Sequence, residues 1–501
     1  MRSSRRPGAR AEWLVALSVA VAAPMVAAAE ADEPVTQTPS AHARVTFERA
    51  KFPGDERVGF VGTSYLVDLH QVPGLSIGPA VYGAITGQRG GFFTIGGELA
   101  WRQRLLGPVG VELGLYAGGG GGGGAPQGGG LMLRPHVDLL MESGPTAFGV
   151  SLSRIKFPNG QIDSTQWGLV LNFNDEFRFT RAASLDTPTR AGGRSGIGFD
   201  RIQIVAGAYR SRAGAMLLDG RPQPGTIGLV GVRAEQALGT NAYWGLEANG
   251  AAQSTVAGYA EYLGTAGLET EVVPRLVTVG GRVALGMGGG GGIAVGGGLL
   301  AKASLYGVVR LSDDFGLALE AGVAGAPRGD FRAAFASAGL LWAIDGPSVG
   351  GVAARPVRND FSAGVERYDA ARRGRATRAV TTDVLKVERF VGSNLYLAGK
   401  VQSAFAGDAG GYSAALVGAG WWQPLGEKWN VAAELLGGAA GGGGVDSHGA
   451  IVQSMLSVGR QLTPALALRI GAGRIQALRG PLGATAIGVS LSFRYGVSSG
   501  E

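Results

Sequence analysis

The chain has no cysteine, only 17% charged residues, and no run of about 18 uninterrupted apolar residues after its N-terminal segment. The missing cysteine excludes a disulfide scaffold, Cys-ligated zinc, iron–sulfur clusters and CxxCH haem attachment. Little charge combined with 45% hydrophobic residues argues against disorder, and the missing apolar runs argue against membrane-spanning helices. The four histidines, His42, His70, His136 and His448, are scattered and form no HExxH; there is no Gly-x-Ser-x-Gly elbow, and no Gly-Lys-Ser/Thr follows the glycine runs. A lipid-modifying enzyme would have to use His136 beside Asp138, and no serine is placed for them. No catalytic, metal or cofactor site is therefore expected, and the chain is read as non-enzymatic. Glycine is what the sequence has instead: 90 of 501 residues, clustered without the three-residue period of collagen.

Arg2, Arg5, Arg6 and Arg10 precede an apolar run from Trp13 to Ala23, then Pro24 and Ala27-Ala28-Ala29. This is the pattern of a secretory signal peptide over 1–29. Its removal takes away four arginines and Glu12, lowering the net charge from +7 to +4. With no basic block beyond it, nucleic acid is not expected as a partner.

The apolar residues of the remaining chain alternate. Ile487, Val489, Leu491, Phe493 and Tyr495 interleave with Gly488, Ser490, Ser492 and Arg494; Trp167 to Asn174 and Phe315 to Gly322 behave in the same way. A period of two means strands with one apolar and one small or polar face. The C-terminal segment, with Gly488, Leu491, Phe493 and Tyr495, resembles the terminal strand signal of bacterial outer-membrane β-barrel proteins. It departs from that pattern in carrying Gly496 to Glu501 beyond the aromatic. The resemblance implies a porin-like transmembrane antiparallel β-barrel in the outer membrane of a Gram-negative bacterium, in contact with outer-membrane lipid and inserted by the barrel assembly machinery through the C-terminal strand.

Three copies of one unit are legible. Gly118 to Gly124 followed by Gly128-Gly129-Gly130 recurs as Gly288 to Gly292 with Gly296-Gly297-Gly298, and more weakly as Gly441 to Gly444 with His448-Gly449. The turns around Gly160, Gly329 and Gly480 keep the same register, and Phe47-Glu48-Arg49, Phe199-Asp200-Arg201 and Val365-Glu366-Arg367 suggest repeat starts. The organisation read from this is a short extension at 30–45, repeats at 46–180, 197–345 and 360–496, linkers at 181–196 and 346–359, and a tail at 497–501. Each repeat holds about eight strands, in the third near 361–368, 382–390, 395–405, 411–423, 429–440, 449–460, 465–477 and 484–495.

If the last strand ends in the periplasm, the short turns at 70–74, 237–242, 391–394 and 461–464 lie there. The glycine hairpins, centred on Gly121, Gly290 and Gly442, and a basic loop at 369–381 bearing Arg372, Arg373, Arg375 and Arg378 then face outward. Runs of glycine cost backbone entropy, so close approach of another backbone, a sharp hairpin or a smooth surface for cargo is required of them; the plainer reading is flexible hairpin tips. After the first hairpin, Leu131, Leu133, Val137 and Leu139 are placed toward lipid and Arg134, His136 and Asp138 toward the lumen, with Lys302 at the position of Arg134 in the second repeat. A basic lumen band would favour anionic solutes or polymer; the plainer reading is charge balanced by nearby acids.

Two architectures fit: one barrel of about 24 strands, or three tandem 8-stranded barrels. The linkers favour three. The small inward residues Gly316, Ala318, Gly322, Gly471 and Gly473 would leave narrow barrels underpacked, which favours one, and one is the expectation. The corresponding function is an outer-membrane pore or conduit for a large cargo, such as an exported polymer or a lumen-filling protein. The alternative is a non-conducting structural or surface-interaction protein presenting glycine-rich hairpins.

Overall fold

A computed structural model describes residues 35–190, 194–344 and 353–497. The signal peptide at 1–29, parts of both linkers and nearly all of the tail lie outside the described residues.

Alternation produces strands throughout, all antiparallel to their neighbours. Strands from Ser40–Lys51 to Asp163–Glu176 close on themselves, because Ser40–Lys51 pairs with both Arg57–Asp68 and Asp163–Glu176. Strands from Arg201–Ser211 to Arg332–Ala343 close in the same way. So do those from Val357–Arg372 to Gly483–Val497, where Val365 pairs with Val489. The expected single barrel is thus replaced by three barrels of eight strands each. Two short strands, Thr36–Gln37 and Phe179–Arg181, extend the third barrel by pairing beside Tyr495 and Gly496, and the linker strands Thr189–Arg190 and Ala353–Ala354 pair with each other.

Narrow barrels are not underpacked by their small inward residues. Small inward residues are the seats of large side chains from neighbouring strands. A Cβ on Gly62 would meet Tyr82 at 2.2 Å, one on Gly420 would meet Tyr396 at 2.1 Å, and one on Gly473 would meet the Met455 sulfur at 2.7 Å. Narrow lumens are filled by this interdigitation, as eight-stranded barrels require.

The strands of the third barrel, Val357–Arg372, Arg375–Phe390, Leu395–Ala406, Ser413–Leu425, Trp429–Gly441, Gly449–Gln461, Leu466–Ala477 and Gly483–Val497, show where alternation failed to mark ends. The basic loop expected at 369–381 is almost entirely strand: Arg372 pairs with Arg375, and only Arg373 and Gly374 turn. The three presumed repeat-start triplets are not all equivalent either. Glu48 lies opposite Gly168 and Glu366 opposite Gly488, but the matching residue of the second barrel is Gly207, and Asp200 precedes its strand.

Outward positions carry an apolar belt, including Phe47, Val150, Trp167 and Leu169 on the first barrel, Leu285, Leu305 and Leu319 on the second, and Leu435, Leu456 and Ile487 on the third, all exposed. Aromatics such as Trp101, Trp421 and Trp429 mark the end of the barrels opposite the glycine hairpins. These are the two surface zones of a membrane-spanning barrel.

Candidate functional site: filled lumens around a glycine-packed centre

Inward positions of the first barrel bring together Arg44, Glu98, Glu112, His136 and Asp138, all buried. The Arg44 guanidinium donates to Glu98 at 2.6 Å and to Asp138 at 2.5 Å, and its Nε lies 3.4 Å from Glu112. His136 faces Glu98 through Nε2 at 3.0 Å and Asp138 through Nδ1 at 3.2 Å. Beside them Arg134 grips Glu48 at 2.8 and 3.1 Å and stacks over Tyr82 at 5.0 Å. Glu112, His136 and Asp138 lie close enough to suggest a metal site. Arg44 occupies the centre of that group and already supplies the positive charge a cation would bring, so the donor set does not fit a metal.

The second and third lumens reach the same end with other residues. In the second, Arg233 bridges Glu247 at 2.9 Å and Glu320 at 2.8 Å, Arg282 bridges Glu235 at 2.6 Å and Glu320 at 3.0 Å, and Lys302 bridges Glu247 at 2.6 Å and Glu261 at 3.1 Å. In the third, Arg469 joins Glu388 at 2.6 Å to Asp360 at 2.7 Å, Lys386 joins Glu388 at 2.8 Å to Glu434 at 2.9 Å, and Lys400 binds Glu366 and, at 2.8 Å, Gln453. Arg134, His136, Asp138 and Lys302 therefore sit inside barrels. Arg134, His136 and Lys302 are each held by acids and Asp138 by Arg44, the plainer of the two readings of their charge.

Toward the hairpin end every lumen is also closed by an apolar cluster that sequence reasoning missed. Phe60, Phe92 and Phe157 meet edge-on at 5.3 and 5.7 Å in the first barrel. Tyr209 and Tyr259 meet Phe331 at 5.5 and 6.1 Å in the second, and Tyr368 meets Tyr412 at 6.4 Å in the third. Phe92, Tyr259 and Tyr412 occupy equivalent positions before the fourth strand of their barrels. That recurrence was readable once the repeat was known.

The glycine hairpins are not exposed tips. Gly121 is buried, and Gly290 and Gly442 are half-buried, because the runs pack barrel against barrel. The contacts are cyclic. A Cβ on Gly91 of the first barrel would lie 2.1 Å from Gly290 N of the second, one on Gly258 of the second 2.7 Å from Gly442 N of the third, and one on Gly411 of the third 2.9 Å from Gly122 N of the first. The Gly411 amide donates to Gly120 O at 2.8 Å, and Gly90 to Gly296 O at 2.9 Å. Positive φ at Gly290 (92°), Gly442 (89°) and Gly122 (119°) adds a second demand for glycine. Of the reasons a glycine run requires, close backbone approach is the one in force. Leu131, expected toward lipid, is drawn into this contact and packs on Phe405 of the third barrel, with Leu133 beside it. Val137 and Leu139 do face outward. The first–third contact also holds Asp383, which accepts the amides of Gly119 at 3.3 Å and Ser403 at 3.2 Å.

Of the basic residues read as a loop, Arg372 donates to Gly443 O and Gly407 O at 2.9 and 2.6 Å, tying two hairpins together. Arg378 pairs with Asp408 at 2.6 Å, Arg373 lies 3.9 Å from Asp446, and Arg375 is exposed at the turn.

No family model and none of the curated proteins matches the chain. Among solved structures, the chain is similar to the siderophore receptor PirA from Acinetobacter baumannii (10% identity, 92% of this chain and 81% of that chain, TM-score 0.28). It is similar also to OccAB3 of the same organism (7%, 92% and 99%, TM-score 0.22) and to the outer membrane protein OpdK from Pseudomonas aeruginosa (10%, 91% and 98%, TM-score 0.20). The chain's own features, closed antiparallel barrels with apolar belts outside and charge inside, are those of an outer-membrane β-barrel protein.

Proposed function

We propose that this outer-membrane protein is a non-conducting cluster of three barrels that acts as a structural or surface-interaction element. The observation that carries the reading is the double closure of each lumen, by buried ion pairs in its middle and by an aromatic cluster toward the hairpin end. Among the described residues the barrels have eight strands each and leave no wide lumen for a polymer or a lumen-filling protein, and the glycine runs serve cohesion between barrels rather than passage. Both His136 nitrogens are engaged, by Glu98 and Asp138, which supports reading His136 as part of the ion-pair network of the lumen. Membrane lipid and the assembly machinery acting on the C-terminal strand are the proposed contacts of the barrels.

One observation favours a second reading, a narrow pore. The lumens are lined by charge rather than by hydrocarbon, so rearrangement of one ion pair together with its aromatic cluster would leave a polar path for small ions. Planar-bilayer recording of the purified full-length protein tests both. The first reading expects no unitary steps; small steps support the narrow pore, and large steps passing polymer contradict the proposal.

A further inference from the structure

On the outside of the third barrel, Arg367 and Arg474 stand on the first and seventh strands, either side of the last. Arg367 lies opposite Ile487, and Arg474 opposite Thr485. Both arginines are exposed, and two strand spacings with a two-residue stagger set their backbones about 12 Å apart. The strip between and below them is apolar, with Ile487 60% and Ile470 58% exposed. Neither arginine belongs to an ion pair among the described residues; Arg474 Nε only approaches Gln476 at 3.5 Å. Asp369 is the nearby acid on the Arg367 strand, opposite Ala379.

The first barrel repeats the arrangement. Arg154 lies opposite Thr165, and Arg49, one step beyond the Glu48–Gly168 pair, stands beside the exposed Trp167. Here an acid competes: Asp163 accepts from Arg154 Nε and Nη2, each at 2.7 Å. Its counterpart at the start of the last strand of the third barrel is Gly483. The second barrel has Ala208 and Val323 at the two arginine positions, so it lacks the pair.

Two guanidinium groups outside any ion pair, at the edge of an apolar strip, suit a ligand with anionic groups above hydrocarbon chains. Arginine binds phosphate through a planar fork, and headgroup depth is where such charge is met in a membrane. We propose that Arg367 and Arg474 form a binding site for a phosphorylated glycolipid of the outer leaflet, with its acyl chains on Ile487 and Ile470, and that Arg49 and Arg154 form a weaker copy. The site rests on the outer-membrane reading, with the hairpin end facing outward.

The test is native mass spectrometry of the full-length protein in detergent, titrated with purified diphosphorylated outer-membrane glycolipid, its phosphate-free form, phosphatidylglycerol and inorganic phosphate. The double variant R367Q/R474Q is expected to bind the glycolipid about tenfold or more weakly, the loss of charge-assisted hydrogen bonds. R49Q/R154Q is expected to have a smaller effect, and R367K/R474K an intermediate one that also serves if the glutamine variant misfolds. Unchanged binding by R367Q/R474Q, equal binding of the phosphate-free lipid or of phosphatidylglycerol, or displacement by inorganic phosphate would overturn the site. Failure of the outer-membrane reading is a separate result, seen as wild-type protein fractionating elsewhere.

Discussion

A Cβ on Gly91 of the first barrel would sit 2.1 Å from the backbone nitrogen of Gly290 in the second, and Gly91 has φ +85°. Both facts oppose any side chain there. Gly91→Ala is expected to lower stability by about 1–3 kcal/mol from overpacking, with a further contribution from the left-handed backbone. The measurement is the temperature at which the folded band converts to the unfolded one on a gel. Gly399→Ala, where an added Cβ meets nothing within 4 Å, is expected to leave that temperature unchanged or slightly raised.

The lumen ion pairs predict an asymmetric mutational response. Arg44→Met leaves Glu98 and Asp138 buried without their cation and is expected to cost about 3–5 kcal/mol. Neutralising those acids as well, in R44M/E98Q/D138N, is expected to recover part of the loss, which thermal melts of the wild type and the two variants measure. Arg44→Met alone is expected to produce no conductance, because Phe60, Phe92 and Phe157 still close the lumen.

Outside the membrane, Asp219 accepts the Arg221 amide at 3.1 Å and its Nε at 2.7 Å, and these bonds hold its carboxyl below the usual range. A carboxyl lowered by folding stabilises the loop above its ordinary pKa, and that contribution is lost as pH falls through the lowered value. Protease cleavage within 212–225 is therefore expected to rise at acid pH in the wild type. Asp219→Asn is expected to show the faster cleavage already at neutral pH and little further change.

Eight strands per repeat were legible because each strand shows lipid one face and a small, polar or charged face to its lumen, as Ile487 to Tyr495 displays. Alternation says nothing of which strand closes on which. Val489 reads the same whether it pairs with Val365 or with the next repeat, so barrel number stayed open. The charge of Arg134, His136 and Asp138 marked a lumen, yet their partners Glu48, Glu98 and Arg44 lie 38 to 94 residues away and became visible only in the fold. The glycine runs were visible but unexplained for the same reason: Gly91 and Gly290 meet across barrels.

Because the chain has no native cysteine, engineered pairs report strand pairing without background. Val45 lies opposite Leu171 within the first barrel, while Leu491, its counterpart in the third, lies opposite Ala363. Oxidation of V45C/L171C in outer-membrane preparations is expected to give an intrachain disulfide, and V45C/L491C none. A single barrel enclosing all strands would place the first strand beside the last, so crosslinking of V45C/L491C with none in V45C/L171C would contradict three closed barrels.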